Sequence, residues 1–273
     1  MIYTEFESVL NFTPEPFKGD LKMWYFEEDD TNPIITGKKQ AQSNHGNIKL
    51  NHLPTTALLL YMRGLESIKE KYKLELISEE FPRFLNSCPI YKAPENEICL
   101  LDGGRGAPMA VDTIEVLKAY GVETIISIGL MGSIAEEIDV GDIVIPSKAY
   151  VEEGTSLHYY KRIEYSTPDL ELLNIISEKS SNSIIRPIIT TDSIYRQTYY
   201  KEKLWRDKGC VGIDMETSAL MSVGKYLNMN VCSALMVSDK HPIDKFQKSW
   251  GWKLTESKRQ EFLENMLDIV LSI

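Results

Sequence analysis

The sequence lacks an excess of positive charge, a paired cysteine framework and a long apolar run, and each absence excludes a class of function. Lysine and arginine number 30 against 40 aspartate and glutamate residues, which gives a net charge of −10. Nucleic acids and anionic membranes attract proteins through clustered Lys and Arg, so neither is expected as a main partner. Any anion that this protein binds should therefore bind in a local pocket.

The four cysteines show no paired spacing of the kind that holds a metal ion. Cys99, Cys210 and Cys232 lie in apolar, strand-like segments, where cysteine behaves as a small hydrophobic residue. We therefore predict a reduced cytoplasmic protein without a metal or an organic cofactor. The first residues lack a basic start followed by an apolar stretch, and no run is long enough to span a membrane, which agrees with that location.

Length and composition predict one large main domain. The chain has 273 residues, of which 43% are hydrophobic and 26% are charged, enough for a single sizeable core. The first part differs from the rest, because prolines, an acidic run and polar stretches interrupt any hydrophobic periodicity. We therefore predict an N-terminal extension, residues 1–55, packed on a main domain formed by residues 56–273.

Short apolar segments alternate with helical segments along the main domain. Strands are predicted at 56–61, 98–101, 124–128, 140–146, 211–213 and 231–237. Helices are predicted at 65–76, 109–120, 168–180, 215–227 and 256–273, the third of them capped by Thr167. Helices between strands are typical of a parallel sheet covered on both faces. The expected fold is therefore α/β, with three layers around a largely parallel central sheet.

Two carboxylates follow two of the predicted strands. Asp214 is placed to cap the helix after strand 211–213, so Glu216 lies in that helix's first turn. Asp239 follows the apolar strand 231–237. Taken singly, such residues are more often helix-dipole partners or turn formers than functional groups. Together they indicate a site, because open α/β sheets bind ligands at the carboxyl ends of their strands.

A glycine-rich turn at 102–108 separates another predicted strand from its helix. Backbone N–H groups of such a turn, Gly104 among them, can hold an anion, and Arg105 would add positive charge. The turn has neither the lysine nor the spacing of a phosphate loop and does not match the dinucleotide fingerprint. A tight turn without a ligand is therefore an equally good interpretation.

The chain resembles the nucleoside phosphorylase family, which includes purine nucleoside phosphorylases, uridine phosphorylases and methylthioadenosine nucleosidases. Six segments follow the family pattern in order, at 121–134, 140–146, 153–158, 191–193, 215–216 and 237–239. The resemblance covers roughly Leu58 to the C-terminus and leaves the first fifty residues outside it. It implies a mixed, largely parallel sheet of the nucleoside phosphorylase type and assembly into a homo-oligomer.

The resemblance also implies roles for three residues in breaking the bond between a base and ribose. Glu216 matches the family glutamate that binds the ribose hydroxyls, and Met215 matches the methionine that packs on the sugar. A carboxylate suits the first role, because it accepts two hydrogen bonds and opposes the positive charge that develops on the ring. Asp239 matches the acid that interacts with N7 of a purine, which favours a purine-type nucleoside as the substrate.

Three further residues match family positions around the substrate. Ile194 and Tyr195 lie where the family stacks a side chain on the base, although Tyr195 is equally well interpreted as a core residue. His158 belongs to a loop that borders the 5′ end of the sugar in the family, but a solvated surface histidine is the commoner role.

The departures from the family pattern concern the phosphate ligands. Where phosphorylases have a Gly-Asp-Pro-x-Arg turn, this chain has Tyr-Met-Arg-Gly-Leu at 61–65, and Ser127 and Leu130 replace an arginine and a serine. A dianion in a pocket needs positive charge or several oriented donors. Arg63 and Arg105 are the candidates to replace the missing ligands.

Three functions remain open on these grounds. The first is phosphorolysis of a purine-type nucleoside with inorganic phosphate as co-substrate. The second is hydrolysis, in which a carboxylate activates water, and Glu66 lies near the position where hydrolytic relatives carry such a glutamate. Glu66 is equally well interpreted as an exposed helix residue. The third is a non-catalytic protein that binds nucleosides, which the lost anion ligands and the added N-terminal segment would suit.

Overall fold

The computed structural model describes residues 24–43, 50, 52–94, 96–247 and 250–273. Most of the predicted N-terminal extension lies outside these residues, so its packing as a unit remains a prediction. Its described part contains one short helix, α1 (Gly37–Gln42), which contacts a longer helix, α3 (Ala107–Ala119). Thr36 caps α1 by accepting a hydrogen bond from the backbone N–H of Lys39.

Within the described residues, ten strands form one mixed sheet. They are β1 (Thr56–Leu60), β2 (Glu75–Ser78), β3 (Ile90–Lys92), β4 (Ile98–Asp102), β5 (Thr124–Ser133), β6 (Ile143–Glu152), β7 (Tyr165–Ser166), β8 (Ile184–Thr191), β9 (Gly212–Asp214) and β10 (Asn230–Lys240). The order along the sheet is β10-β6-β8-β9-β5-β1-β4-β3-β2, with β7 paired to β6. Because β10 also pairs with β5, the strands β5, β10, β6, β8 and β9 close into a ring at one end of the sheet. The α/β fold with a mixed central sheet is thus confirmed.

Pairing in the sheet is parallel in its middle and antiparallel at its margins. β1 pairs in parallel with β4 and β5, and β5 pairs in parallel with β10. The β2–β3–β4 edge is antiparallel, as are the β5–β9 and β6–β10 contacts that help close the ring. The carboxyl ends of β1, β5 and β10 therefore lie side by side.

Besides α1 and α3, the described residues form α2 (Leu65–Lys71), α4 (Leu170–Lys179), α5 (Tyr199–Asp207), α6 (Thr217–Tyr226) and α7 (Glu256–Leu271). The prediction of a helix over 65–76 was wrong in its second half, because Lys73 adopts a left-handed φ of 50° and the chain then enters β2. The predicted Thr167 cap of α4 was also wrong. Asp169 caps this helix instead, accepting a hydrogen bond from the backbone N–H of Leu172.

The sheet is buried on both faces, which explains the continuous apolar runs of its central strands. Along β1, Ala57 and Leu59 face one core and Leu58 and Leu60 the other. Helices α3 and α6 cover the first face, while α2, α4 and α7 cover the second. Each fully buried aliphatic side chain contributes about 1.5 to 3 kcal/mol, so this core fixes the strand ends firmly. In the described part of the chain, no helix has both the length and the apolar character needed to cross a membrane.

Candidate functional site

A cavity of about 1090 Å³ opens where the central strands end. Glu216 and Asp239 both line it, so the two carboxylates that follow separate strands do meet in one space. The other predicted residues that line this main cavity are Met215, Ile194, Tyr195, Arg63 and Arg105. A space of this size with a few polar groups is typical of a site for a small organic ligand.

Glu216 is placed by the junction of β9 and α6. The buried carboxylate of Asp214 accepts hydrogen bonds from the Thr217 backbone N–H (2.8 Å) and from the Thr190 hydroxyl (2.6 Å). This arrangement starts α6 at Thr217, so Glu216 precedes the first turn of the helix instead of lying in it. The Glu216 side chain does not cap the helix. Its Oε1 accepts a hydrogen bond from the backbone N–H of Gly106 at 2.7 Å. The glycine-rich turn therefore holds the carboxylate of a distant helix rather than an anionic ligand at this N–H.

Burial makes ionisation of this acidic pair unfavourable. Desolvation and, to a smaller extent, the nearby Asp214 carboxylate raise the pKa of Glu216 to about 8, against the opposing effect of the Gly106 N–H and Arg105. Burial also raises the pKa of Asp214, although hydrogen bonds from Thr190 and Thr217 oppose this. Around neutral pH the pair therefore retains a proton, and the negative charge in this part of the cavity depends on pH.

Asp239 lies in a different electrostatic environment. A register shift between Val237 and Asp239 in β10 turns its side chain into the main cavity, where Ser238 and the indole N–H of Trp250 donate to it. His241 Nε2 lies 3.3 Å from its Oδ2. Burial alone raises the pKa of Asp239, but hydrogen bonds from His241, Ser238 and Trp250 together hold this pKa below its usual value. Asp239 is therefore ionised when the cavity is empty.

His241 and Glu202 are site residues that the sequence analysis missed. Both line the main cavity, and His241 Nδ1 lies 2.8 Å from Glu202 Oε1. Burial lowers the pKa of His241, but hydrogen bonds and charge from Asp239 and Glu202 outweigh burial and raise this pKa to about 9. The position of His241 two residues after Asp239 was the only available signal. The contact with Glu202, 39 residues away, has no signature in the sequence.

Three arginines line the main cavity. Arg63 and Arg105 also line a second cavity of about 770 Å³, so they stand between the two spaces. Neither forms an ion pair or a side-chain hydrogen bond with another residue in the described ranges. The third, Arg259 of α7, pairs with Glu256 and was not predicted. Positive charge without a protein partner suits an anionic group of a ligand.

Three predicted residues lie away from the two carboxylates. The ring of His158 stacks on Trp24, with centroids 5.2 Å apart, and does not line the main cavity. Gly104 has a left-handed φ of 79° and donates its N–H within the turn, which favours the interpretation as a tight turn. Glu66 lines only the second cavity and is paired with Lys69 at 2.9 Å, with its side chain 77% exposed.

The two predicted base-stacking residues lie at the mouth of the main cavity. Tyr195 is 96% exposed and Ile194 is 52% exposed, so neither belongs to the core. The interpretation of Tyr195 as a core residue was therefore wrong. Trp250 and Trp252 also line the main cavity and are about half exposed.

Comparison with known proteins places this architecture among enzymes of nucleoside metabolism. A DeoD-type purine nucleoside phosphorylase of Exiguobacterium sp. strain AT1b is 28% identical over 174 residues, 62% of this chain and 70% of that protein. The homologue of Brevibacillus brevis is 29% identical over 174 residues, again 62% of this chain and 71% of that protein.

Two solved structures share the fold at low sequence identity. AMP nucleosidase from Bacteroides thetaiotaomicron superimposes with a TM-score of 0.68 at 22% identity and covers 86% of this chain and 96% of its own. Purine nucleoside phosphorylase from Toxoplasma gondii, in complex with immucillin-H, gives 0.67 at 18% identity and covers 81% and 90%. The model of the phosphorylase superfamily matches residues 69–272, about three quarters of the sequence, and the chain therefore belongs to the phosphorylase superfamily.

Proposed function

We propose that this protein cleaves the N-glycosidic bond of a purine-type nucleoside. The observation that carries the proposal is that Glu216 and Asp239 open onto the same cavity from two separate strands. The names of the relatives, which are purine nucleoside phosphorylases and an AMP nucleosidase, support the same reaction class.

The two carboxylates suit the two ends of the substrate. As the bond breaks, positive charge develops on the ribose and negative charge on the base. Glu216 would accept hydrogen bonds from the ribose hydroxyls through its carboxyl oxygens and, in its ionised form, stabilise the ribosyl cation, with Met215 packed on the sugar. Asp239 would interact with N7 of the departing purine. Interactions that strengthen in the transition state are the ones that raise the rate.

For the nucleophile we propose inorganic phosphate, which makes the reaction a phosphorolysis. Arg63 and Arg105 line the main cavity, form no ion pair with the residues that the structure describes, and would balance the charge of a phosphate dianion. Without such charge, a buried dianion would cost several kcal/mol.

Water is the second candidate for the nucleophile, and two positions favour it. Ser127 is buried and hydrogen-bonded to Ser233, and Leu130 is apolar, so neither of these two positions of β5 offers the main cavity a donor side chain in place of the expected arginine and serine. The proposed hydrolytic base Glu66 finds no support, because its carboxylate is exposed, paired with Lys69 and outside the main cavity.

Release of base from inosine and adenosine, followed as phosphate is varied, separates these candidates. Phosphorolysis predicts a rate that saturates with phosphate and forms ribose 1-phosphate, and Arg105→Gln should raise the KM for phosphate by about tenfold or more. Arg186→Gln, a surface arginine paired with Glu137, is the matched control. Equal rates without phosphate would instead establish hydrolysis. Tight nucleoside binding in calorimetry with no base released under either condition would show a non-catalytic binding protein.

A further inference from the structure

Three buried side chains form a continuous line from α5 to the main cavity. Glu202 Oε1 lies 2.8 Å from His241 Nδ1, and His241 Nε2 lies 3.3 Å from Asp239 Oδ2. The three side chains are only 7%, 14% and 8% exposed. Each ring nitrogen of His241 therefore faces one carboxylate, and the imidazole has little contact with solvent.

The charged groups around His241 come from two elements. Helix α5 contributes Glu202, whose other oxygen lies 3.8 Å from Arg206 Nη1, and β10 contributes Asp239. Strand β5 packs against the ring through Gly132, where a Cβ atom would lie 2.9 Å from His241 Nε2. The pKa of His241 is raised to about 9 and that of Asp239 is lowered. At neutral pH the imidazolium therefore carries both of its protons, and the Asp239 carboxylate carries none.

This distribution of protons leaves the proposed reaction with an unmet need. A purine that leaves ribose takes the bonding electron pair and must gain a proton to become a stable neutral base. Asp239 is the group placed to interact with it, yet the ionised carboxylate accepts protons and has none to donate. The nearest group that holds one is His241, whose Nε2–H points toward Asp239.

Resting on the proposed function, we propose that His241, held in place by Glu202, is a positioning residue that supplies the proton which Asp239 passes to the departing base. The Nε2 proton moves to Oδ2 of the Asp239 carboxylate, and the carboxyl group formed in this way passes its proton to N7 of the purine. Asp239 ends as a carboxylate, the base leaves neutral, and His241 is left as a neutral imidazole that regains its proton from water. Glu202 accepts the hydrogen bond of Nδ1–H throughout, which fixes the orientation of the ring.

The pH dependence of kcat tests this proton supply. In the wild type, kcat should fall as pH rises above about 9, where His241 loses its proton. Glu202→Gln removes one of the two carboxylates that stabilise the imidazolium, so this fall should move to lower pH. His241→Gln should lower kcat by about 10- to 100-fold, with KM little changed and the alkaline fall abolished. His52→Gln, an exposed histidine outside both cavities, is the matched control.

A change of leaving group gives a readout that a structural role would not produce. In 7-methyladenosine and 7-methylinosine at mildly acidic pH, N7 already carries positive charge, so the base leaves without gaining a proton. His241→Gln should therefore retain within about threefold of the wild-type rate on these substrates while losing activity on adenosine and inosine.

The outcomes distinguish the inference from the function on which it rests. Equal losses on the methylated and unmethylated substrates, or an alkaline fall that persists in His241→Gln, would overturn the proton supply while leaving nucleoside cleavage intact. If His241→Gln does not fold, Glu202→Gln still decides, because an unmoved alkaline fall in that variant overturns the inference. A wild-type protein that releases base from none of the four substrates would remove the proposed function itself, and the inference with it.

Discussion

Replacing Glu216 with glutamine removes a carboxyl group whose ionisation the fold opposes. Glutamine keeps the size of the side chain and the oxygen that accepts the Gly106 N–H, so the hydrogen bond at 2.7 Å can persist. What disappears is the requirement to bury a negative charge beside Asp214. The variant therefore separates the electrostatic cost of this residue from its packing.

The size and sign of the effect follow from linkage between protonation and folding. The pKa of Glu216 is about 8 in the folded protein against an ordinary value of 4.5. Between these values the folded state binds more protons than the unfolded state, so ionisation lowers the free energy of unfolding as pH rises. At about 1.4 kcal/mol for each pH unit, the total cost reaches about 5 kcal/mol once pH passes 8. Glu216→Gln should therefore be no more stable than the wild type below pH 4.5. Its advantage in the free energy of unfolding should grow as the pH rises from 4.5 to about 8.

Urea unfolding of both proteins, measured across this pH range, provides the assay. The difference in unfolding free energy should increase with pH and level off near 8. Glu70→Gln on the surface of α2 reports the effect of the substitution itself. A stability difference that stays constant with pH would refute the assignment of a buried, charge-opposed carboxyl at this position. The proposed function adds that the stabilised variant should lose about tenfold or more in turnover.

Three further substitutions test separate features of the structure by thermal unfolding or activity. Tyr61→Phe removes the one buried side-chain polar atom without a hydrogen-bond partner in the described ranges, so unfolding free energy should stay level or rise by about 1 kcal/mol. The same change at Tyr72, whose hydroxyl donates a hydrogen bond at 2.8 Å, should instead lower the free energy of unfolding. A fall in stability for Tyr61→Phe but not for Tyr72→Phe would contradict this reasoning. Gly132→Ala places a methyl group 2.9 Å from the ring of His241 and should reduce the turnover rate at least about tenfold. An unchanged turnover rate would show that the ring moves freely. Asp169→Ala removes the N-cap of α4 and should cost about 1 kcal/mol, whereas an unaltered melting temperature would contradict that role.

The sequence was sufficient to predict most strands of the sheet's middle and the convergence of its two carboxylates, but it missed β8, which pairs in parallel with β6 and β9. Buried parallel strands are apolar on both faces, so β1, β4 and β10 stand out as short hydrophobic runs. Glu216 and Asp239 meet although β9 runs antiparallel to β5 and β10 runs parallel to it, because both strands pair with the carboxyl end of β5. The antiparallel edge strands β2 and β3 escaped prediction because they are short and only partly apolar.

The parts of the site that sequence reasoning missed depend on contacts between distant segments. Glu202 looks like an ordinary charged residue of an amphipathic helix, and only the fold brings it to His241. Glu66 is the opposite case, because its position near that of a glutamate in hydrolytic relatives suggested a catalytic base, while α2 directs its side chain to Lys69 as in the alternative interpretation of an exposed helix residue. Side-chain direction after a strand depends on the following turn, which local patterns define poorly.

The hydroxyl pair between β5 and β10 limits which side chains can occupy position 127. Ser127 and Ser233 face each other across paired strands, with their oxygens 2.6 Å apart and both residues almost fully enclosed. Ser127 stands where the family pattern has an arginine. Replacing Ser127 with arginine would force a guanidinium into a space sized for two hydroxyls and would lower the free energy of unfolding by several kcal/mol. An arginine at position 127 is therefore incompatible with this packing, and positive charge for the main cavity comes instead from side chains on other segments, Arg63 and Arg105 among them.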